Sequence, residues 1–468
     1  MSRDAGELEG GAAAMRARLG FAPAPAQLAA IRAFVAWGTS PGPQVGVLTG
    51  YAGAGKTSIL PEIAYQIREG RARKRDVPPT VFWLATTGKA SSRLNSALKL
   101  PSGSVRTVHA AAFGEADEDE SGNPDFSKVE AKDFTLGNQA LVIVDEGSMF
   151  WKDVYDRMLK VLPPSRVRIL ISADPFQLPP VGDQLGPDLD RPIAHLSEVQ
   201  RHAGGILRLA TAIRKGERPL PSDEDLSPQV SRYRDTDLVQ AAKWLVRRRE
   251  RDIDSTLLTW THEVRRDVNR LVRSFMGHDH ETLAVGDRVL IKANNRRVKV
   301  FNGEVFEVSA LTQPDDFGNC EVKLNGVRAI TVTNTAGTMQ LPTMVHLPSL
   351  GDPQAFKEYM FRGGMEAFRI RAFDEAHGFY TQHMQNVEGT SYKVGPHEFA
   401  RWIRSCWIQA DYGECLTVHA AQGSEWGHVG FIADPKVQWF VRKKGDEAAR
   451  LVYTAYTRAA EKLAIFYV

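Results

Sequence analysis

The octapeptide Gly50–Thr57, GYAGAGKT, restricts what this chain can fold into more than any other stretch. It fits G-x-x-x-x-G-K-[ST], with Gly50, Gly55, Lys56 and Thr57 at the fixed positions. A β-prone run, Val45 to Thr49, precedes it, and Ser58 to Ile67 follows with helical spacing. Strand, tight loop and helix in that order make an anion site. The small residues Ala52, Gly53 and Ala54 let backbone N–H groups approach phosphates, and the helix start at Ser58 adds partial positive charge. In such a loop Lys56 lies against the β- and γ-phosphates and the Thr57 hydroxyl holds Mg²⁺. A Gly/Ala-rich surface loop could match by chance but would lack the flanking strand and helix. The sequence predicts a nucleoside triphosphate site.

A second element agrees. Leu141-Val-Ile-Val runs straight into Asp145-Glu146, a buried strand that delivers two carboxylates at its C-terminal end. Ligands bind at that end of α/β sheets. Asp145 is placed to hold Mg²⁺ and Glu146 to polarise an attacking water. A third strand, Val167 to Asp174, leads into a proline-stiffened loop carrying Gln177, within reach of a γ-phosphate. Upstream, Gln27 opens an amphipathic helix pattern; its amide could pair with an adenine edge or simply face solvent.

Bulk charge does not by itself argue for nucleic acid, because the net charge is only +3. The 468 residues exceed one domain, at roughly 100–200 residues each. The three cysteines, Cys320, Cys406 and Cys415, are too few and too irregularly spaced for a disulfide framework or a zinc site, which fits a cytoplasmic protein. No apolar run reaches the ~18 residues of a membrane span, and residues 1–20 are Gly/Ala-rich, without a signal-peptide core, and are expected to be flexible.

Between the motifs, Thr80 to Ala85 reads as another buried strand, ending in the hydroxyl-rich turn Thr86-Thr87-Gly-Lys89 that opens a helix. Those hydroxyls suit either a nucleic-acid phosphate or ordinary helix capping. After Thr107-Val-His109, a polar stretch with a Gly122-Asn123 turn predicts a projecting hairpin or a mobile loop. Short β runs from Val285 to Val332 have the texture of a small barrel, and residues 340–400 give no assignment.

The set GYAGAGKT, TTGKASSRL, VIVDEGS, SADPFQLPPVGD, EVQR, TVHAAQGSEW and VYTAYTRA, in that order, resembles the superfamily 1 helicases of the RecD/Dda type. The resemblance implies an α/β fold of two RecA-like P-loop NTPase domains, ATP between them, and single-stranded DNA across the top. The first would occupy 21–195 with a pin insertion at 112–138; the second, 196–283 and 409–468, with an SH3-like β-barrel inserted at 284–408. Arg201 and Arg458 would reach the γ-phosphate as arginine fingers. Gln422, Gly423 and Glu425 would couple nucleotide to DNA. DNA contacts would fall on Thr86, Thr87, Lys89, His109, Thr417, His419 and Trp426, and a pin aromatic among Phe113, Phe126 and Phe134 would stack on the terminal base pair. The implied activity is ATP- and Mg²⁺-dependent 5′-to-3′ unwinding at single/double-strand junctions, in a bacterium or a phage-infected host, alongside replication or recombination proteins. An RNA- or hybrid-directed motor and a non-translocating NTPase switch are the alternatives. The sequence departs from the pattern at Ser172-Ala173, His202 and Ala420-Ala421, the last removing a lysine that would contact DNA.

Overall fold

Continuous apolar runs alternating with helical stretches dictate strands buried on both faces, and the fold follows that rule. The computed structural model describes the chain except residues 1–12, 75, 102–103, 114–116, 119–123, 126–138, 181–183, 200–203, 218–219, 279–283, 292–301, 312–321, 325–343 and 347–406. The chain divides into two compact units, Met1–Asp237 with Arg248–Trp260 and Thr417–Val468, and Leu238–Arg247 with Thr261–Leu416.

The first unit holds two parallel sheets. Its first sheet comprises β1 (Val45–Gly50), β2 (Thr80–Ala85), β3 (Val105–Thr107), β4 (Ala140–Asp145), β5 (Val167–Ala173) and β6 (Ala194–Leu196). They lie in the order β3-β2-β4-β5-β1-β6. Register aligns Thr49 with Ala173, and Ala85 with Asp145, so the loops bearing the motifs leave from one edge. Helices α1 (Pro25–Thr39), α2 (Lys56–Arg73), α3 (Gly88–Ala97), α4 (Val108–Phe113) and α5 (Lys152–Val161) connect these strands. On α2, Ile59, Leu60, Ile63, Ala64 and Ile67 form an apolar stripe packed with Ile31 and Phe34 of α1 and with Leu48, Ile143 and Leu170 of the sheet. Burying each large aliphatic contributes about 1.5–3 kcal/mol. That packing fixes where the phosphate loop points.

Four strands of the five-stranded second sheet are β7 (Val230–Tyr233), β8 (Ser255–Thr259), β9 (Trp426–Ala433) and β10 (Ala459–Tyr467), ordered β8-β9-β10-β7 and paired in parallel, with Cys415–Thr417 at the β8 edge. Helices α6 (Gly204–Arg214), α7 (Pro435–Lys443) and α8 (Gly445–Tyr456) belong with it. Helix α8 is buried through its second half, Leu451 to Tyr456.

In the second unit, Arg288–Ile291 pairs antiparallel with both Val305–Leu311 and Trp407–Tyr412; Val322–Leu324 and Met344–His346 complete a five-stranded sheet. The helix His262–Phe275 buries Arg265, Asn269 and Arg273 as well as Val268 and Val272. Each of the three polar side chains makes hydrogen bonds. Arg273 donates to both carboxylate oxygens of the buried Asp287 at 3.0 Å, and Asn269 donates to the Tyr412 and Cys415 carbonyls at 3.2 Å.

Candidate active site

At the end of β1 the chain turns through Gly53 and Gly55, both with positive φ (76° and 79°). Gly55 is required twice over: a Cβ there would lie 2.4 Å from the Gln27 amide nitrogen. Lys56 Nζ donates to the Gly50 carbonyl at 2.7 Å and the Tyr51 carbonyl at 3.1 Å. Ala52 and Ala54 are buried beneath the loop, while Ser58 lies exposed in the first turn of α2. Gln27 is buried on the loop itself, accepting from Ala24 N at 3.0 Å and donating to the Ala54 carbonyl at 3.1 Å. Those two bonds use one N–H and one lone pair of its amide.

Strand β4 brings its carboxylates to the same edge. Thr57 Oγ1 donates to Asp145 Oδ2 at 2.7 Å, so a hydroxyl and a carboxylate oxygen converge as a hard, oxygen-only pair. Burial, then the neighbouring Glu146 charge, pushes the Asp145 pKa up, against the hydrogen bond from Thr57. Glu146 has a left-handed backbone, φ 55° and ψ 38°. That conformation is strained for a side-chain-bearing residue and turns the carboxylate out of the strand direction. The next residue has to be glycine, because a Cβ on Gly147 would sit 2.4 Å from Ile171 Cγ2. Ser148 then exchanges two hydrogen bonds with the Asp174 backbone, at 2.9 and 3.0 Å, locking the carboxylate turn to the loop after β5. Gln177 is buried in that loop.

The second sheet supplies the opposing groups. Arg458, just past α8, is buried and donates to the carbonyls of Thr454 and Ser424 at 3.1 Å. Its pKa is lowered by burial, while Glu146 pulls it back up, which puts guanidinium and carboxylate in one field. Gln422 donates to the Leu178 carbonyl at 2.9 Å. Three further residues of α8 went unremarked in the sequence. The Tyr453 hydroxyl accepts from the phosphate-loop amide of Ala52 at 3.1 Å and donates to Asp174 Oδ2 at 2.9 Å. Thr454 Oγ1 accepts from Leu178 N at 3.1 Å, and Arg450 donates to the Pro175 carbonyl. Burial and the Asp174 charge hold the Tyr453 phenol well above its ordinary pKa, so it stays a donor. Arg201 lies outside the described residues.

Known proteins share these parts. A family described as AAA domain matches residues 23–243, and one described as UvrD-like helicase C-terminal domain matches 412–466. Both matches fall on stretches that carry the site groups described above. It is similar to the ATP-dependent DNA helicase Pif1 of Psychrobacter sp., 25% identical over 307 residues, 57% of this chain and 44% of that protein. It is also similar to an uncharacterized Acanthamoeba polyphaga mimivirus protein, 27% identical over 148 residues, 29% of each. The matched stretches thus span less than half of each relative. A solved structure, described as two coordinating Pif1 helicases on forked double-stranded DNA, shares the fold with TM-score 0.50 at 14% identity, covering 94% of this chain and 91% of that one.

The residues that the sequence resemblance assigns to DNA lie on α3, α4 and the turn after Thr417. Thr87 caps α3, accepting from Ala90 N at 3.1 Å, and Thr86 Oγ1 donates to the Glu146 carbonyl at 3.1 Å. Thr417 Oγ1 accepts from Ala420 N at 3.3 Å. These hydroxyls therefore serve the fold itself. Lys89 Nζ lies 3.3 Å from the Ala420 carbonyl and over the Trp426 ring at 5.6 Å, placing a cation beside the turn where the expected lysine is missing. His109 meets Trp151 edge to face at 4.9 Å, and burial lowers the pKa of both His109 and His419. Within 112–138 the described residues form one antiparallel ladder, Asp117–Glu118 against Pro124–Asp125. Phe113 ends α4; Phe126 and Phe134 lie outside the described residues.

Proposed function

We propose that the chain hydrolyses ATP to move along single-stranded DNA, 5′ to 3′, opening duplex ahead of it. One observation carries the ATPase reading: Thr57 of the phosphate loop bonds Asp145, while Tyr453, on the helix that leads into the buried Arg458, bonds the Ala52 amide of the same loop. Phosphoryl transfer to water needs charge neutralisation from both sides and a base for the water. Lys56 balances the bound phosphates, Glu146 takes the proton of the water, and Arg458 meets the charge that develops on the transferring group. The Thr57 hydroxyl and Asp145 carboxylate fit Mg²⁺, a hard cation that prefers oxygen ligands. Such an ion would screen phosphate charge when bound.

Translocation follows if closing the two sheets on nucleotide shifts grip on the strand. The ladder at 117–125 supports the pin reading, and the five-stranded sheet around Arg288–Ile291 supports an SH3-like insertion. Among the described residues no helix is long and apolar enough to cross a membrane.

The test is steady-state ATPase with and without single-stranded DNA, followed by unwinding of duplexes bearing a 5′ or a 3′ tail. DNA stimulation with 5′-tail preference is expected, and Lys56→Ala should abolish turnover. Stimulation by RNA alone would make the motor RNA-directed; hydrolysis indifferent to either polymer would make it a switch.

A further inference from the structure

Arg93, midway along α3, joins three motifs and has no role in the scheme above. Its Nη1 donates to the Gly423 carbonyl at 2.9 Å and lies 3.8 Å from Glu146 Oε1, and its Nη2 lies 3.7 Å from Glu425 Oε2. One planar guanidinium thus faces a carboxylate from each sheet and a carbonyl between them. Its charge also lowers the pKa of Arg458. The rest of α3 holds the same turn: Lys89 donates to the Ala420 carbonyl, and a Cβ built on Gly423 would rest 3.8 Å from Ala90 Cβ.

Without Arg93, Glu146 and Glu425 would face each other as like charges, opposing approach of the turn to α3. A guanidinium can satisfy acceptors in several directions at once because its donors splay in a fixed plane. We infer that Arg93 is a positioning residue that ties the 420–425 turn to the Glu146 carboxylate, so that seating the turn and aiming the carboxylate become one event. Thr87, on the expected DNA side, caps α3, so Arg93 lies on a helix shared by that side and the Glu146 carboxylate. The inference rests on the ATPase reading. It does not rest on stability, because ion pairs this exposed contribute little to folding.

The experiment measures ATPase of the full chain at saturating oligo-dT. Arg93→Ala should lower kcat roughly ten- to hundredfold, the scale of a small misplacement of a reacting group. KM for ATP and the thermal midpoint should stay near wild type. Arg93→Lys should recover only part of the loss, since charge returns without the fork. Glu425→Gln should fall by a similar factor, and the double variant no further, because the two act as a unit. Wild-type kcat in Arg93→Ala, full rescue by lysine, or additive losses would overturn the inference. Absence of ATPase in the unmodified protein would instead overturn the proposed function.

Discussion

The two sheets of the first unit contribute to the site in opposite ways. The first sheet supplies its groups locally: Lys56 bonds the carbonyls of its own loop, and Thr57 bonds Asp145 one strand away. Helix α8, which packs with the second sheet, reaches across, through Tyr453 to Ala52 and Asp174 and through Thr454 to Leu178. The first is a binding surface that the fold completes by itself. The second is a reagent delivered only when the sheets are together. Nucleotide affinity and turnover should therefore be separable by mutation, one sheet at a time.

Arg458→Ala tests that division most severely. Turnover should drop on the order of 10³-fold or more, as for lost arginine fingers, with ATP affinity nearly kept. Equal losses in a nucleotide-binding titration would erase the distinction between the sheets. Tyr453→Phe should do less: it removes one hydroxyl bridging the two sheets, worth about 0.5–1.5 kcal/mol per hydrogen bond, so kcat should fall roughly two- to tenfold. A rise in KM without change in kcat would assign Tyr453 to nucleotide binding instead.

The smallest effect is one the sheets should share. His109 beside the first and His419 beside the second are both pushed below the ordinary imidazole pKa by burial. The unfolded chain therefore binds protons first as pH falls through about 6.5. Stability is full above that pH and declines below it, until the folded-state pKa values are passed. The unfolding midpoint should drop between pH 7 and 5.5, with His109→Gln and His419→Gln each flattening the slope. A slope altered by only one of them would show that acid strikes the sheets unequally.

How much was legible follows the same division. Gly50–Thr57 and Asp145–Glu146 could be read because each group follows an apolar strand in sequence, so strand direction alone places it. Helix α8 could not be read that way. Arg450, Tyr453 and Thr454 of α8 and Thr457 and Arg458 just past it are spaced i, i+3, i+4, i+7 and i+8, and that spacing was the available signal. Arg93 left no such trace, since Gly423 and Glu425 become its neighbours only after folding. The helix His262–Phe275 misleads in the other direction. Its charges suggest a solvated face, yet Arg265 and Arg273 are buried because Asp411 and Asp287 accept from them.

The seam between the two sheets is made largely of main-chain atoms. Ala52 N, the Pro175 carbonyl, both polar groups of Leu178, and the Gly423 carbonyl are its acceptors and donors on one side or the other. Every residue type except proline carries those atoms, so the side chains at these positions can drift while the joint persists. Alanine scanning would register only the other half of each bond, at Arg93, Gln422, Arg450, Tyr453 and Thr454. Substitution at those positions can therefore rewrite the surface and keep the joint.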